Sequence, residues 1–203
     1  MSAQPELEAR VQAACHTGDF ATATTLVLEG YGGEILALLA ARLPRRTDAD
    51  EVFAIVAEKL WLGLPGFEWR CGVLSWLYRL ARNAANDYAK AAGNRPERNL
   101  ALSDHAPLSA IVDRVRTATE PYRQTAVKDR MRELRERLSP DDQMLLILRV
   151  DRSMDFRELV VAMSDESAPI EDAAIDREAA RLRKRFERIK DRLRAMAKDE
   201  GLL

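Results

Sequence analysis

Five polar side chains share one side of a predicted helix at residues 76–90. They are Arg79, Arg82, Asn83, Asn86 and Lys90, and they offer guanidinium forks, amides and one ammonium group. Groups of these kinds form hydrogen bonds to phosphates and to the edges of nucleic acid bases. The pattern therefore favours a nucleic-acid contact, with an ordinary solvated helix face as the alternative.

A loop rich in turn residues precedes this helix, at residues 63–72, and carries two aromatic side chains, Phe67 and Trp69. Aromatic rings in such a loop can stack on an unpaired base while a neighbouring basic helix holds the strand. The helix must be buried on its other side to position these groups. Apolar residues recur there at spacings of three and four: Val73, Leu77, Leu80, Ala84 and Tyr88.

An acidic segment before the loop predicts the start of another helix. Thr47 is a suitable N-cap residue, and Asp48, Asp50 and Glu51 fall in the first turn after it. Carboxylates in a first turn interact favourably with the helix dipole, and this role alone could account for them. We expect this helix to continue to Trp61.

Glycine and capping residues predict the breaks between the other helices of the first half. Asp19 predicts a helix that begins at Phe20. Residues 30–33 include three glycines, and they predict a break before a separate helix at residues 34–43. Interruptions by glycine and proline at residues 93–121, with one short helix at residues 108–116, indicate a linker.

The second half repeats the pattern of capped helices. Apolar spacing at residues 127–138 predicts a helix, and Ser139 followed by Pro140 predicts the start of the next one. Asp155 and Glu158 have the spacing of a capping box, which predicts a third helix. A start at residues 169–172 predicts a final helix that reaches Lys198 without a break.

The final predicted helix combines an apolar stripe with a strong positive charge. Residues 176–194 contain nine basic and four acidic side chains. The basic residues expected to project away from the stripe are Arg181, Arg183, Lys184, Arg185 and Arg188. The second helix of a helix-turn-helix and a basic coiled-coil or bundle helix both fit this pattern.

Composition narrows the class of protein. A chain of 203 residues with 47% hydrophobic residues, 9 Gly and 8 Pro favours one large or two small all-α domains. The formal net charge of −1 means that nucleic-acid contacts must come from local patches.

Cys15 and Cys71 lack metal or redox spacing and predict buried, reduced thiols in a cytoplasmic protein. We expect no metal, no cofactor and no enzymatic activity, because no ligand set, nucleophile with its base, or phosphate-binding glycine loop is present. We also expect no signal peptide and no membrane insertion, because the longest apolar run, at residues 35–41, is short.

Three segments, in this order, resemble the extracytoplasmic-function sigma factors, which are promoter-recognition subunits of bacterial RNA polymerase. The segments are DADEVFAIVAEKLW from Asp48, WLYRLARN from Trp76 with the following Asp87 and Tyr88, and LSPDDQMLLILRVDRSMDFRELV from Leu138. The last of these has Ser153 at the position where the family pattern has glycine. The basic run of the final predicted helix also resembles the family pattern, at Leu182, Arg183, Arg185, Phe186 and Arg188. In the first, Ala54 and Ile55 replace the family's glutamine and glutamate.

The resemblance implies core RNA polymerase and promoter DNA as partners, and an anti-sigma factor where one exists. It implies polymerase binding by Asp48, Asp50, Glu51 and Trp61. It implies recognition and melting of the minus-ten element by Phe67, Trp69, Arg79, Arg82, Asn83, Asn86 and Lys90. It implies minus-thirty-five binding by Arg181, Arg183, Lys184, Arg185 and Arg188.

The predicted organisation is therefore a first domain at residues 1–92, a linker at residues 93–122, and a helix-turn-helix domain at residues 123–203. A helical DNA-binding regulator and a sigma-like adaptor without initiation activity are the alternatives, followed by a coiled-coil interaction protein. About ten residues, 165–174, exceed the family's short turn, and residues 165–178 hold six acids and one base. We expect this acidic insert to fold away from DNA or to screen the basic helix.

Overall fold

The computed structural model describes residues 3–43, 45–91, 106–118, 133–165 and 172–200. The fold is all-α, as predicted, and the described residues contain no strand. The chain divides into two compact units, Met1–Glu120 and Pro121–Leu203. Each unit has its own buried apolar residues.

The first unit is built around one long helix, α2, which packs against the other helices of the unit. In chain order the helices are α1 (Ala3–His16), α2 (Phe20–Arg42), α3 (Arg46–Gly63), α4 (Val73–Lys90) and α5 (Ala106–Ala118). A 3₁₀ turn at Leu64–Gly66 follows α3. Asp19 caps α2 as predicted, because its carboxylate accepts the backbone N–H of Thr22 at 3.0 Å.

The predicted break at residues 30–33 is wrong, because α2 continues through these glycines. Gly30 and Gly32 serve close packing instead of a turn. A Cβ atom on Gly30 would overlap the side chain of Leu7, and one on Gly32 would lie 3.0 Å from Val115 Cγ1. Two neighbouring helices, α1 and α5, can therefore approach α2 closely at these positions.

The short helix predicted at residues 108–116, within the expected linker at residues 93–122, is present. Residues 106–118 form α5, and this helix buries Leu108, Ile111, Val112 and Val115 in contact with α2 and α3. Removal of these four aliphatic side chains from water stabilises the fold substantially. The helical part of the expected linker therefore belongs to the first compact unit, while residues 92–105 and 119–122 lie outside the described residues.

The start of α3 differs from its prediction as well. The helix begins at Arg46 after Arg45, which makes no side-chain capping hydrogen bond, so Thr47 is not the N-cap residue. Asp48 is 7% exposed and its carboxylate faces α4. The acidic first turn is thus engaged by a neighbouring helix.

The second unit contains the capped helices that the sequence predicted. They are α6 (Pro140–Leu146), α7 (Phe156–Met163) and α8 (Asp172–Asp199), and a π-helical turn at Ile147–Asp151 extends α6. Ser139 caps α6, and Asp155 forms a capping box with Glu158 at the start of α7. The part of the predicted earlier helix at residues 127–132, and the insert at residues 166–171, lie outside the described residues.

Helix α2 is long and apolar enough to cross a membrane by length and composition alone. Just over half of its apolar part is buried in this structure, and α2 packs against α1, α3 and α5. Such burial is what a core helix requires.

The two cysteines are free and half-buried, not fully buried as predicted, and burial raises the pKa of both thiols.

Candidate functional site

The acidic start of α3 and the last turns of α4 meet through one tyrosine. The hydroxyl of Tyr88 lies 2.9 Å from Asp48 Oδ1 and 2.8 Å from Glu51 Oε2. Burial raises the pKa of Tyr88 most, and the hydrogen bonds to Glu51 and Asp48 and their negative charges raise it further. The phenol therefore stays protonated and serves as a hydrogen-bond donor to the carboxylates.

Asp50 has a different partner, contributed by α5. The guanidinium of Arg116 donates to the backbone carbonyl of Asp50 and lies 3.9 Å from its carboxylate. Both side chains are about one third exposed. Trp61 is half-buried two residues before α3 ends. The four residues predicted to bind polymerase thus all lie on α3, with three carboxylates in its first two turns.

One residue of the predicted polar face of α4 is not on the surface. Arg82 is 5% exposed, and its Nη1 lies 3.4 Å from Asn83 Oδ1. The reason is that α2 and α3 both pack on α4. Tyr78, Arg82 and Ala85 form a second buried row at spacings of four and three, so the buried side of α4 is wider than the apolar residues alone indicated.

The other residues of this face differ in how far they are engaged within the protein. Asn86 accepts a hydrogen bond from the guanidinium of Arg42 on α2. Arg79 and Asn83 are half-buried, and Lys90 is exposed. Lys90 is therefore the most accessible of these side chains to a ligand, and part of Arg79 and of Asn83 is accessible as well.

The aromatic loop before α4 is packed upon itself. The ring of Phe67 stacks on Trp76 of α4 with centroids 4.6 Å apart, and its other contact is the edge of Trp69, at 5.0 Å. Trp69 has φ of 58°, a left-handed backbone conformation that is uncommon for a bulky residue. Such a conformation costs free energy and is held only by its surroundings, as occurs at functional loops.

Basic residues of α8 form the other predicted contact surface. Arg181, Arg183, Lys184 and Arg188 are exposed, as their spacing predicted. Arg185 is not directed outward, because its Nε lies 2.7 Å from Asp142 Oδ1 of α6. It follows the buried Leu182 by three residues, and this places it at the edge of the buried stripe.

Residues 27–95 match the Sigma-70 region 2 family model. The region 2 match supports a sigma factor role in promoter recognition by RNA polymerase. It covers about a third of the chain. No curated protein matches the chain.

Region 2 contains most of α2, all of α3, the aromatic loop and all of α4. Every residue predicted to bind polymerase or the minus-ten element therefore falls inside the match. The basic residues of α8 fall outside it. Their assignment to DNA binding depends on the charge and position of α8 itself.

Sequence reasoning missed several side chains that organise these surfaces. Tyr88 was assigned only to the buried stripe, yet its hydroxyl binds two carboxylates of α3. Arg42 and Arg116 bind Asn86 and Asp50, and neither arginine belongs to a predicted site. These partners are separated by between 37 and 66 residues, so local periodicity gives no signal for them.

Proposed function

We propose that this chain is a sigma factor of the extracytoplasmic-function type, which docks on core RNA polymerase and brings it to promoter DNA. The observation that carries the proposal is the match of residues 27–95 to Sigma-70 region 2. That stretch holds the acidic start of α3, the aromatic loop and the polar face of α4. The proposed polymerase and DNA contacts therefore lie on successive elements of one compact unit.

The proposed polymerase contact is the acidic start of α3. Asp50 and Glu51 are half-buried, so part of each carboxylate is available to a basic partner, whereas Asp48 is turned inward to Tyr88. We assign the direct charge contact to Asp50 and Glu51 and assign to Asp48 the task of holding α3 against α4. Complementary charge of this kind steers association and fixes orientation.

Reversal of these charges tests the contact. Asp50→Lys with Glu51→Lys should weaken binding to purified core polymerase by at least about a hundredfold, because it sets like charge against a basic partner. The matched control is Glu187→Lys with Asp191→Lys, which makes the same change in net charge at exposed positions of α8. A folded Asp50/Glu51 variant that binds core as the control does would refute the assignment.

The proposed minus-ten contact combines the aromatic loop with α4. Arg79, Asn83 and Lys90 are placed to hold the strand, while Phe67 and Trp69 offer rings for an extruded base. Arg82 and Asn86 instead hold the frame of α4, because the first is buried and the second binds Arg42.

Melting can be measured separately from docking. Trp69→Ala should leave core binding unchanged and lower the permanganate reactivity of promoter thymines in the complex, because a stacking surface for an unpaired base is lost. Leu62→Ala is the control, since Leu62 is 66% exposed and lies near the same loop. Equal thymine reactivity in the wild type and the Trp69 variant would remove this loop from the melting mechanism.

The proposed upstream contact uses the exposed basic side chains of α8, namely Arg181, Arg183, Lys184 and Arg188. The decisive experiment for the whole proposal is transcription in vitro with core polymerase, this chain and a set of promoter templates. Promoter-dependent transcripts are expected. Core binding without transcripts would instead favour a sigma-like adaptor, and DNA binding without core binding would favour a helical regulator.

A further inference from the structure

A cavity of about 560 Å³ in the second unit is lined by three arginines. Arg149 comes from the π-helical turn, Arg157 from α7 and Arg183 from α8. The ring of Phe156 forms part of the wall. Guanidinium groups bind anions with several oxygen atoms, and here the carboxylates of Asp155 and Asp176 also line the cavity.

Two of these arginines are held in place by the same aromatic ring. The guanidinium carbons of Arg149 and Arg183 each lie 5.0 Å from the centroid of Phe156, within the range of a cation–π contact. Arg149 also donates through Nη1 to the carbonyl of Met154 at 2.7 Å. Both guanidinium groups are thus held beside the cavity by contacts within the chain.

The third arginine is already bound to carboxylates. Arg157 Nη2 lies 3.0 Å from Asp172 Oδ1, and its Nη1 binds Asp176, both in the first two turns of α8. Asp155 also lines the cavity, but its carboxylate accepts the backbone N–H groups of Arg157 and Glu158 as a helix cap. The charge of Arg157 is therefore neutralised from within the chain by two acids of α8.

We infer that this cavity is a binding site for a backbone phosphate of duplex DNA, and that Asp172 and Asp176 occupy its Arg157 in the free chain as substitute anions. The inference rests on the proposed DNA binding by the second unit. In a helix-turn-helix the first helix crosses the DNA backbone while the second enters the groove. Arg157 lies on the helix that would cross the backbone, and its planar fork matches two phosphate oxygens.

Exposure shows that this internal pairing can be exchanged. The side chains of Arg157, Asp172 and Asp176 are 52%, 90% and 63% exposed. Ion pairs this exposed contribute little to stability, so a phosphate can replace the two carboxylates at small cost to the fold. The carboxylates nevertheless reduce the attraction between this surface and DNA as long as they keep their charge.

The experiment measures binding of the full chain to duplex DNA at several salt concentrations, since phosphate contacts need no particular sequence. Asp172→Asn with Asp176→Asn should tighten binding severalfold at about 0.1 M salt. The slope of log affinity against log salt should become steeper by about one, as expected for one added phosphate contact. The variant should fold normally because both positions are exposed, which circular dichroism checks.

Two further variants make the result specific. Arg157→Gln should weaken duplex binding by itself, because it removes the group that the phosphate would take from Asp172 and Asp176. It should also remove the gain from the Asp172/Asp176 variant. Glu187→Gln with Asp191→Asn makes the same change in net charge farther along α8. An equal gain from this control, or a gain that survives Arg157→Gln, would overturn the inference in favour of bulk charge.

The outcomes also separate this inference from the proposed function. An Asp172/Asp176 variant that binds duplex no more tightly than the wild type overturns the phosphate site, whatever happens in transcription. Failure of the chain to bind core polymerase or to support transcripts overturns the proposed function. A gain in duplex affinity through Arg157 would still stand in that case, as a property of the second unit.

Discussion

The hydroxyl of Tyr88 lies 2.8 Å from Glu51 Oε2 and so joins the last turns of α4 to the beginning of α3. A phenol has one hydrogen, while Asp48 and Glu51 offer two carboxylate acceptors to it. The hydrogen is therefore shared between two negative charges. This contact connects the helix proposed to bind DNA with the helix proposed to bind polymerase.

Tyr88→Phe should lower the free energy of unfolding by about 1–3 kcal/mol, because it removes a hydrogen-bond donor from two carboxylates, one of them nearly buried. It should also weaken core binding, because Glu51 loses a fixed orientation. Urea denaturation and a core-binding titration measure the two effects. Full stability in the variant would show that the hydroxyl contributes nothing to this contact.

Tyr31→Phe should leave the free energy of unfolding unchanged or raise it, whereas Tyr78→Phe should lower it. The buried hydroxyl of Tyr31 has no hydrogen-bond partner among the described residues, whereas that of Tyr78 donates to Glu34. Loss of an unsatisfied buried hydroxyl is neutral or stabilises the fold, and loss of a satisfied one costs about 1 kcal/mol or more. Urea denaturation at pH 7 distinguishes them, and equal destabilisation by both variants would contradict this account.

The same tyrosine predicts how stability responds to alkaline pH. Burial, and then the charges of Glu8 and Glu34, raise the pKa of Tyr31 to about 12. An unfolded tyrosine titrates near pH 10, so above that pH the folded chain binds more protons than the unfolded chain. The contribution of the Tyr31 hydroxyl to the free energy of unfolding is present below about pH 10 and is lost as the pH rises toward 12. Tyr31→Phe should make the alkaline decline shallower in urea denaturation at pH 9.5–11.5, about the range where the two states differ.

Ser153→Gly should raise the free energy of unfolding by about 1 kcal/mol, because Ser153 has φ of 55°, a conformation that costs about 1–2 kcal/mol with a side chain present. Ser153→Ala is the control, since it removes the same hydroxyl and keeps the Cβ atom. Thermal denaturation compares the three chains. Equal stabilisation by alanine would show that the hydroxyl, and not the backbone, carries the cost.

Arg82→Ala should lower the free energy of unfolding by about 2 kcal/mol, because Arg82 is 5% exposed and truncation removes the packing of a long buried side chain. Lys90→Ala on the same helix is exposed and should change stability by no more than about 0.5 kcal/mol. Lys90→Ala should still weaken promoter binding. Denaturation by urea and a promoter-binding titration together test both statements.

Local features of the fold could be predicted well from the sequence. Asp19, Ser139 and the pair Asp155 and Glu158 mark helix starts that the structure confirms, because a cap depends on residues within three positions. The unbroken final helix was predicted for the same reason, since its start and its stripe are both local signals.

Features that depend on distant partners could not be predicted in this way. Glycines at residues 30–33 predicted a break, but contacts with Leu7 and Val115 make them packing positions inside a helix. Arg82 and Arg185 were both expected on open faces. Arg82 is buried because α2 and α3 both pack on α4. Arg185 pairs with Asp142, which is 43 residues away in the chain.

The π-helical turn at Ile147–Asp151 has a consequence for how related chains should be aligned. Arg152 donates its N–H to the carbonyl of Ile147 at 3.2 Å, five residues back, so the turn contains one residue more than an α-helical turn. Deletion of one residue would rotate the following backbone by about 100° and redirect Arg149 away from the Met154 carbonyl. A related chain with an ordinary α-helical turn lacks this extra residue. Its alignment therefore needs a single-residue gap at the turn, because α7 would otherwise be matched one position out of register.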